Sequence, residues 1–246
     1  MVAVHGVNGD RLGSWTSNSP SGPKVVWLNE LLLRRSPNPR VMTFGYNADV
    51  LGNKGSPPPW RSVEESARCL LTQLLEEQRK TGCAMGPPIV FLGHDLGGIV
   101  IKKVCILARF VPYKIHGFFV DALPCLLLQA LALAEDNSEF ATIASRTKGI
   151  VFFGTPHRGV RGGIKRWTLL AWVLTMIGKR VNLRLVKTLE ANSPDLVELL
   201  DDFRGLDADY AMYNFYEECA DKPVRRSSPS STYLSLPRVR LVPTLS

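Results

Sequence analysis

"GHDLGG", residues 93–98, sits between two apolar runs, "PPIVFLG" and "IVIKKVCILA". A strand, a tight glycine-bounded turn and a helix read this way. That is the geometry of a nucleophile elbow, G-x-S-x-G, in which a sharp turn projects a serine from the carboxyl end of a strand. Here the serine position holds Asp95, with His94 before it and Leu96 after it. Glycines at 93 and 97 remove the Cβ atoms that would clash in so cramped a turn. The alternative is an ordinary strand-to-helix turn with Asp95 as helix N-cap, a role that aspartate favours.

Working outward, "MVAVHGVNG" (1–9) predicts a short apolar strand followed by a His-Gly turn. In an elbow fold, a loop after an early strand supplies the second N–H of an oxyanion hole. His5, Gly6 and Val7 would form that loop, with Val7 N–H and Leu96 N–H as the pair of donors. Taken alone, the stretch is a glycine turn and His5 a structural histidine. "VVWLNELLLRR" (25–35) predicts a helix with Val26, Leu28, Leu31 and Leu32 inward, and "RVMTFGY" (40–46) a strand. Ser62 and Glu65 fit a capping box, S-x-x-E, ahead of Val63, Ala67, Leu70, Leu71 and Leu74 at helical spacing, and Gly82 closes that helix. A further strand, "GIVFFG" (149–154), runs into the loop "TPHRG" with Thr155, His157 and Arg158. Ser193–Pro194 starts another helix that Gly205 ends, and "YAMYNFYEE" (210–218) is the last expected strand. Strands near 2–5, 40–45, 88–93, 149–154 and 210–216, alternating with helices, imply an α/β fold with a mainly parallel sheet covered on both faces.

At 246 residues, with 45% hydrophobic and 21% charged side chains, the chain has the composition of one sizeable globular domain. The expected domain is 1–221, with 109–129 an irregular insertion or lid and 222–246 a basic, Ser/Pro-rich tail read as disordered. Residues 109–129 and the tail from Val224 also suit translated intron sequence, an alternative to a real lid and tail. The net charge of +8 favours an acidic partner or an anionic membrane face; it is dispersed and no nucleic-acid motif accompanies it. Cys69, Cys83, Cys105, Cys125 and Cys219 form no C-x-x-C pair or zinc spacing, so neither a metal nor a cofactor is expected. They read as reduced core thiols and hence an intracellular compartment. "MVAVHG" has no basic n-region or long apolar stretch, so no secretory signal is expected there. Neither 117–134, which carries Asp121 and Pro124, nor 167–178 meets the length of a membrane span.

"VHGVNGDRLGSW", "WLNELL", "RVMTFGYNAD", "FLGHDLGGIVIKK" and "TKGIVFFGTPHRG", in that order, resemble the serine-active-site-containing protein family. These are lipase-like serine esterases; similar domains stand at the N-terminus of fungal NACHT-type proteins. The match covers roughly 1–108 and 135–218. The resemblance implies an α/β-hydrolase fold, incomplete here at the C-terminus, and a Ser–His–acid triad acting on esters. It also implies acyl-ester or lipid-like ligands and peripheral association with mitochondrial or endoplasmic-reticulum membranes.

The triad carries over badly. Asp95 stands at the nucleophile position, and the family's base histidine lies in a segment with no counterpart in this sequence. His5 belongs to the oxyanion turn, His94 to the elbow, and His157 to a loop that the family keeps in addition to its triad. His116 has no counterpart. Glu217, Glu218 or Asp221 could stand near the acid position, but each also reads as a surface carboxylate. Three readings result. The first is a catalytically impaired hydrolase fold that binds acyl or lipid-like ligands or acts as an interaction module. The second is an active esterase, or a hydrolase with Asp95 as nucleophile. The third is a membrane-surface protein using 164–180 as an interfacial helix, a stretch that also reads as a buried or lid helix.

Overall fold

The computed structural model describes residues 1–17, 22–33, 40–49, 51–52, 62–82, 86–109, 139–159, 180–217 and 239–243. The insertion at 109–129, apart from Arg109, lies outside these residues, as do Glu218, Asp221 and all of the interfacial-helix candidate except Arg180.

The apolar runs form a six-stranded sheet in the order β2-β1-β4-β5-β7-β8. Its members are β1 (Val2–Val4), β2 (Met42–Phe44), β4 (Ile89–His94), β5 (Thr147–Phe153), β7 (Ala211–Glu217) and β8 (Val239–Pro243). All neighbours run parallel except β8, which lies antiparallel to β7. A separate two-residue ladder pairs β3 (Leu51–Gly52) with β6 (Arg180–Val181).

Alternation along each strand divides the core in two. Val2, Val4, Phe91, Ile150 and Phe152 point to one face, beneath α2 (Val63–Lys80), α3 (Leu96–Arg109) and the helix Pro194–Arg204. Ala3 and Leu92, with Val151 and Phe153 beside them, point to the other, where Trp15 and Leu28 of α1 (Trp27–Leu33) cover them. Both faces are therefore apolar and closed, which is why these strands read as continuous hydrophobic runs.

The helix signals operate as physics requires. Ser62 Oγ accepts from Glu65 N–H at 3.1 Å, and the Glu65 carboxylate accepts from Ser62 N–H at 2.6 Å. Gly82, past the last turn of α2, has φ +62°, the left-handed conformation that glycine supplies. Ser193 caps the helix at Pro194 by accepting from Leu196 N–H at 3.3 Å. Helical residues 139–146, a helix at Leu183–Thr188 and a short 3₁₀ turn at Gly13–Trp15 add to the expected elements. Among the described residues no helix is long and apolar enough to cross a membrane.

One expectation needs correction. Within the tail read as disordered, Val239–Pro243 pairs with Tyr213–Glu217 as an edge strand. The run "VRLVP" has β-forming residues that the surrounding Ser/Pro composition conceals, and its proline ends the edge, where a missing N–H is tolerated.

The parallel order, the crossover helices on both faces and the turn at the centre of the carboxyl edge make this an α/β-hydrolase-like fold.

Candidate active site

Asp95 links β4 to α3, and its backbone adopts φ +49°. Such a conformation is uncommon for a residue bearing a Cβ, and it separates the two sequence readings of "GHDLGG". An N-cap holds extended dihedrals and turns its side chain onto the following helix. Asp95 does neither: its carboxylate Oδ2 accepts from Val7 N–H at 3.0 Å, across the sheet edge. This is the strained strand-to-helix elbow.

Surrounding contacts lock the turn. Asp95 N–H donates to Phe153 O at 2.8 Å, and Gly98 N–H to Asp95 O at 3.1 Å. The glycines are needed for close approach rather than for φ. A Cβ on Gly97 would meet Val4 O at 2.1 Å, and one on Gly93 would meet Gly98 Cα at 2.6 Å. On the opposite side, a Cβ on Gly6 would stand 2.6 Å from Asp95 Cβ and 3.0 Å from His94 Nδ1. The loop at 5–7 and the elbow therefore touch through glycines on both sides.

His5 is fully engaged elsewhere. Its Nδ1–H donates to Gly6 O at 3.0 Å, and Nε2 accepts from Tyr46 N–H at 3.3 Å. This pair of bonds assigns the tautomer. The ring stacks on Tyr46 at 4.6 Å, and the Tyr46 hydroxyl donates to His5 O at 2.9 Å. Burial first, then the nearby Asp95 charge, hold the Tyr46 hydroxyl protonated well beyond the usual tyrosine range. Tyr46 carries no local sequence signal of a site residue, although it lies within "TFGYNAD"; its role depends on a contact 41 positions away. His94 is exposed, its ring meeting the edge of Trp15 at 6.5 Å.

The loop after β5 serves the core more than the elbow. Thr155 packs its hydroxyl against Gly98, and that oxygen is buried without a hydrogen-bond partner among the described residues. His157 donates from Nε2 to Asn214 Oδ1 at 3.0 Å and meets Phe152 edge-on at 4.9 Å. Its Nδ1 is buried without a described partner. Burial, with the charge of Lys102 assisting, pulls its pKa down to about 4 against the opposing Asn214 bond, so it is neutral at pH 7. Lys102 itself is buried, its ammonium 5.0 Å and 5.7 Å from the ring centres of Phe203 and Phe152. Arg158 is exposed, and its carbonyl accepts from Asn192 N–H at 3.2 Å.

The structure thus brings His5, Gly6, Val7, His94, Asp95 and Leu96 together. It sets Thr155 against the first turn of α3 and turns His157 toward the sheet's inner face. Among the described residues no histidine is hydrogen-bonded to Asp95, and no Lys or Arg forms an ion pair with it. No cluster of metal-ligating side chains occurs among them either. A groove of about 600 Å³ between β2 and α2, lined by Met42, Phe44, Leu70, Leu74, Arg40 and Lys80, contains none of the elbow residues.

The chain is similar to Protein SERAC1 of Homo sapiens, at 22% identity over 238 residues, covering 88% of this chain and 30% of that protein. Protein SERAC1 of Mus musculus is 24% identical over the same shares. The chain therefore spans about 30% of the length of these curated relatives. No protein-family model matches it. The crystal structure of Bacillus licheniformis lipase BlEst2 in mature form aligns with a TM-score of 0.47 and 14% identity, over 86% of this chain and 63% of that one.

Proposed function

We propose that this chain is an esterase- or lipase-like α/β-hydrolase domain whose acyl-transfer centre is disabled, and which binds an acyl or lipid-like ligand or acts as an interaction module. One observation carries the reading: the Asp95 carboxylate occupies the Val7 N–H that an oxyanion would need.

Acyl transfer requires a nucleophile, a base to deprotonate it and donors for the developing oxyanion. A serine hydroxyl becomes a strong nucleophile only when a histidine takes its proton. A carboxylate needs no such step, but its attack on an ester yields an anhydride. If water attacks instead, the fixed carboxylate stands beside the negative charge that the tetrahedral intermediate develops on its carbonyl oxygen. Two unit charges about 4 Å apart at an effective dielectric of ~20 repel by ~4 kcal/mol, roughly a thousandfold in rate. One of the two expected donors is committed as well, since Val7 N–H already serves Asp95. His5 has both ring nitrogens bonded, and His157 faces Asn214. Loss of nucleophile and base together costs on the order of 10⁶ in kcat.

The test is hydrolysis of a short p-nitrophenyl ester by the purified chain and by Asp95→Ser. Both should match the buffer rate, because restoring the hydroxyl supplies no base. Asp95-dependent turnover of an ester, an epoxide or a haloalkane would replace this reading with that of an active hydrolase.

A further inference from the structure

The two edges of the main sheet are built differently. A sheet edge presents unpaired N–H and C=O groups that invite another strand, and proteins blunt it with charged residues and proline. The edge strand β8 carries both, since "VRLVP" contains Arg240 and ends at Pro243. At the other edge, β2 carries neither: residues 41–44 read "VMTF", without charge or proline.

Only one side of the β2 backbone is used. Met42 N–H donates to Met1 O at 2.9 Å, so Met42 and Phe44, in register with Val2 and Val4, turn their peptide groups toward β1. Alternation along the strand then turns the Thr43 N–H and C=O away from β1. Among the described residues neither group has a backbone partner. The space beside them is open, because the groove of about 600 Å³ between β2 and α2 is lined by every residue from Arg40 to Phe44. The charges in that groove cancel. Arg40 and Lys80 stand with Glu76 and Glu77, and Arg40 pairs with Glu77. A strongly charged peptide finds no net field to read there. On a chain of net charge +8, it is instead a surface where a second copy meets no like-charge repulsion.

We infer that β2 is a homodimer interface, at which a second copy adds its own β2 antiparallel across a two-fold axis at Thr43. The axis makes the contact isologous, so one unguarded edge serves both subunits. Thr43 exchanges two backbone hydrogen bonds with the partner's Thr43, and Val41 stands opposite the partner's Gly45. The two six-stranded sheets become one. This inference goes beyond the elbow reading and does not depend on it.

Sedimentation velocity over roughly a hundredfold range of concentration measures the association. The intact chain should pass from monomer to dimer as concentration rises. Thr43→Pro removes the outward N–H, which the ladder to β1 does not use, and proline is tolerated at such an edge position. It should weaken dimerisation by roughly tenfold or more, through the lost pair of hydrogen bonds. Thr43→Val keeps that N–H and should dimerise like the parent. A charge swap guards against a folding defect. Thr43→Arg and Thr43→Glu each set like charges opposite one another on the axis, so either alone should be monomeric, whereas their mixture should form the heterodimer. Misfolding cannot produce that gain. An intact chain that is monomeric throughout leaves the edge to a different partner and overturns the inference. A Thr43→Pro variant that dimerises like the parent, or a mixture no more associated than its components, would overturn it as well.

Discussion

Replacing Gly97 by alanine sets two physical effects against each other. Gly97 is the second residue of α3. By helix propensity alone, alanine in place of glycine should stabilise the protein by roughly 0.5–1 kcal/mol. The close approach of β1 to the elbow predicts the opposite. The new Cβ would stand 2.1 Å from Val4 O and 2.6 Å from His5 O, against ~3.5 Å for ordinary contact. Both obstacles are backbone, and Val4 is held in the sheet between β2 and β4. No rotamer change can relieve the clash, so either α3 or the strand must move. Overpacking of this kind costs about 3 kcal/mol, more than cancelling the propensity gain. The net loss of about 2–2.5 kcal/mol lowers the melting temperature of a chain of this size by about 4–10 °C. Gly82→Ala is the control, since its added Cβ meets nothing within 4 Å and only the left-handed φ of +62° resists it, at ~1 kcal/mol. Urea denaturation of the three proteins measures both. If Gly97→Ala proves as stable as the parent, or no worse than Gly82→Ala, then the contact between strand and elbow is wrong.

Three further outcomes are expected. Ser62→Ala removes one half of the capping box on α2 and should cost about 1 kcal/mol in urea denaturation. Tyr46→Phe deletes the hydroxyl that holds the His5 carbonyl, at about 1 kcal/mol; hydrogen exchange at Val7 and Asn8 should speed up with it. His157 has a folded pKa of about 4, below its unfolded value of ~6.5. The unfolded chain thus binds a proton between these values that the folded one does not. The stability linked to this group is complete above pH 6.5 and falls progressively as the pH drops toward 4, by up to about 3 kcal/mol. His157→Gln, which can keep a bond to Asn214 without titrating, should flatten that part of the pH–stability curve; an unchanged slope would refute the assignment.

The elements that were legible in the sequence are those whose signals are local. Ser62 and Glu65 lie three residues apart, Pro194 follows its own cap, and the strands of a parallel sheet with both faces covered are continuous apolar runs. "GHDLGG" exposed the elbow because Gly93 and Gly97 have no other reason to bracket an aspartate between a strand and a helix. What local pattern could not decide was where the Asp95 side chain goes. Its partner Val7 lies 88 positions away, and the N-cap alternative was excluded only by the dihedral and that contact. His157 likewise read as part of a pocket loop, whereas Asn214, 57 positions on, draws it against Phe152. The edge strand Val239–Pro243 was missed for the same reason: the β7 face that recruits it is distant in the chain. The short ladder between Leu51–Gly52 and Arg180–Val181 is too brief for any periodicity to register.

The central claim is that an elbow built for acyl transfer no longer performs it, because a carboxylate fills the oxyanion position and no described histidine serves as base. The most direct measurement is the steady-state hydrolysis of p-nitrophenyl butyrate by the intact chain, Asp95→Ser and Asp95→Ala, with substrate and enzyme concentrations matched. The account predicts three rates equal to one another and to the buffer blank. Turnover by the intact chain that disappears in Asp95→Ala, or turnover that emerges in Asp95→Ser alone, would contradict it.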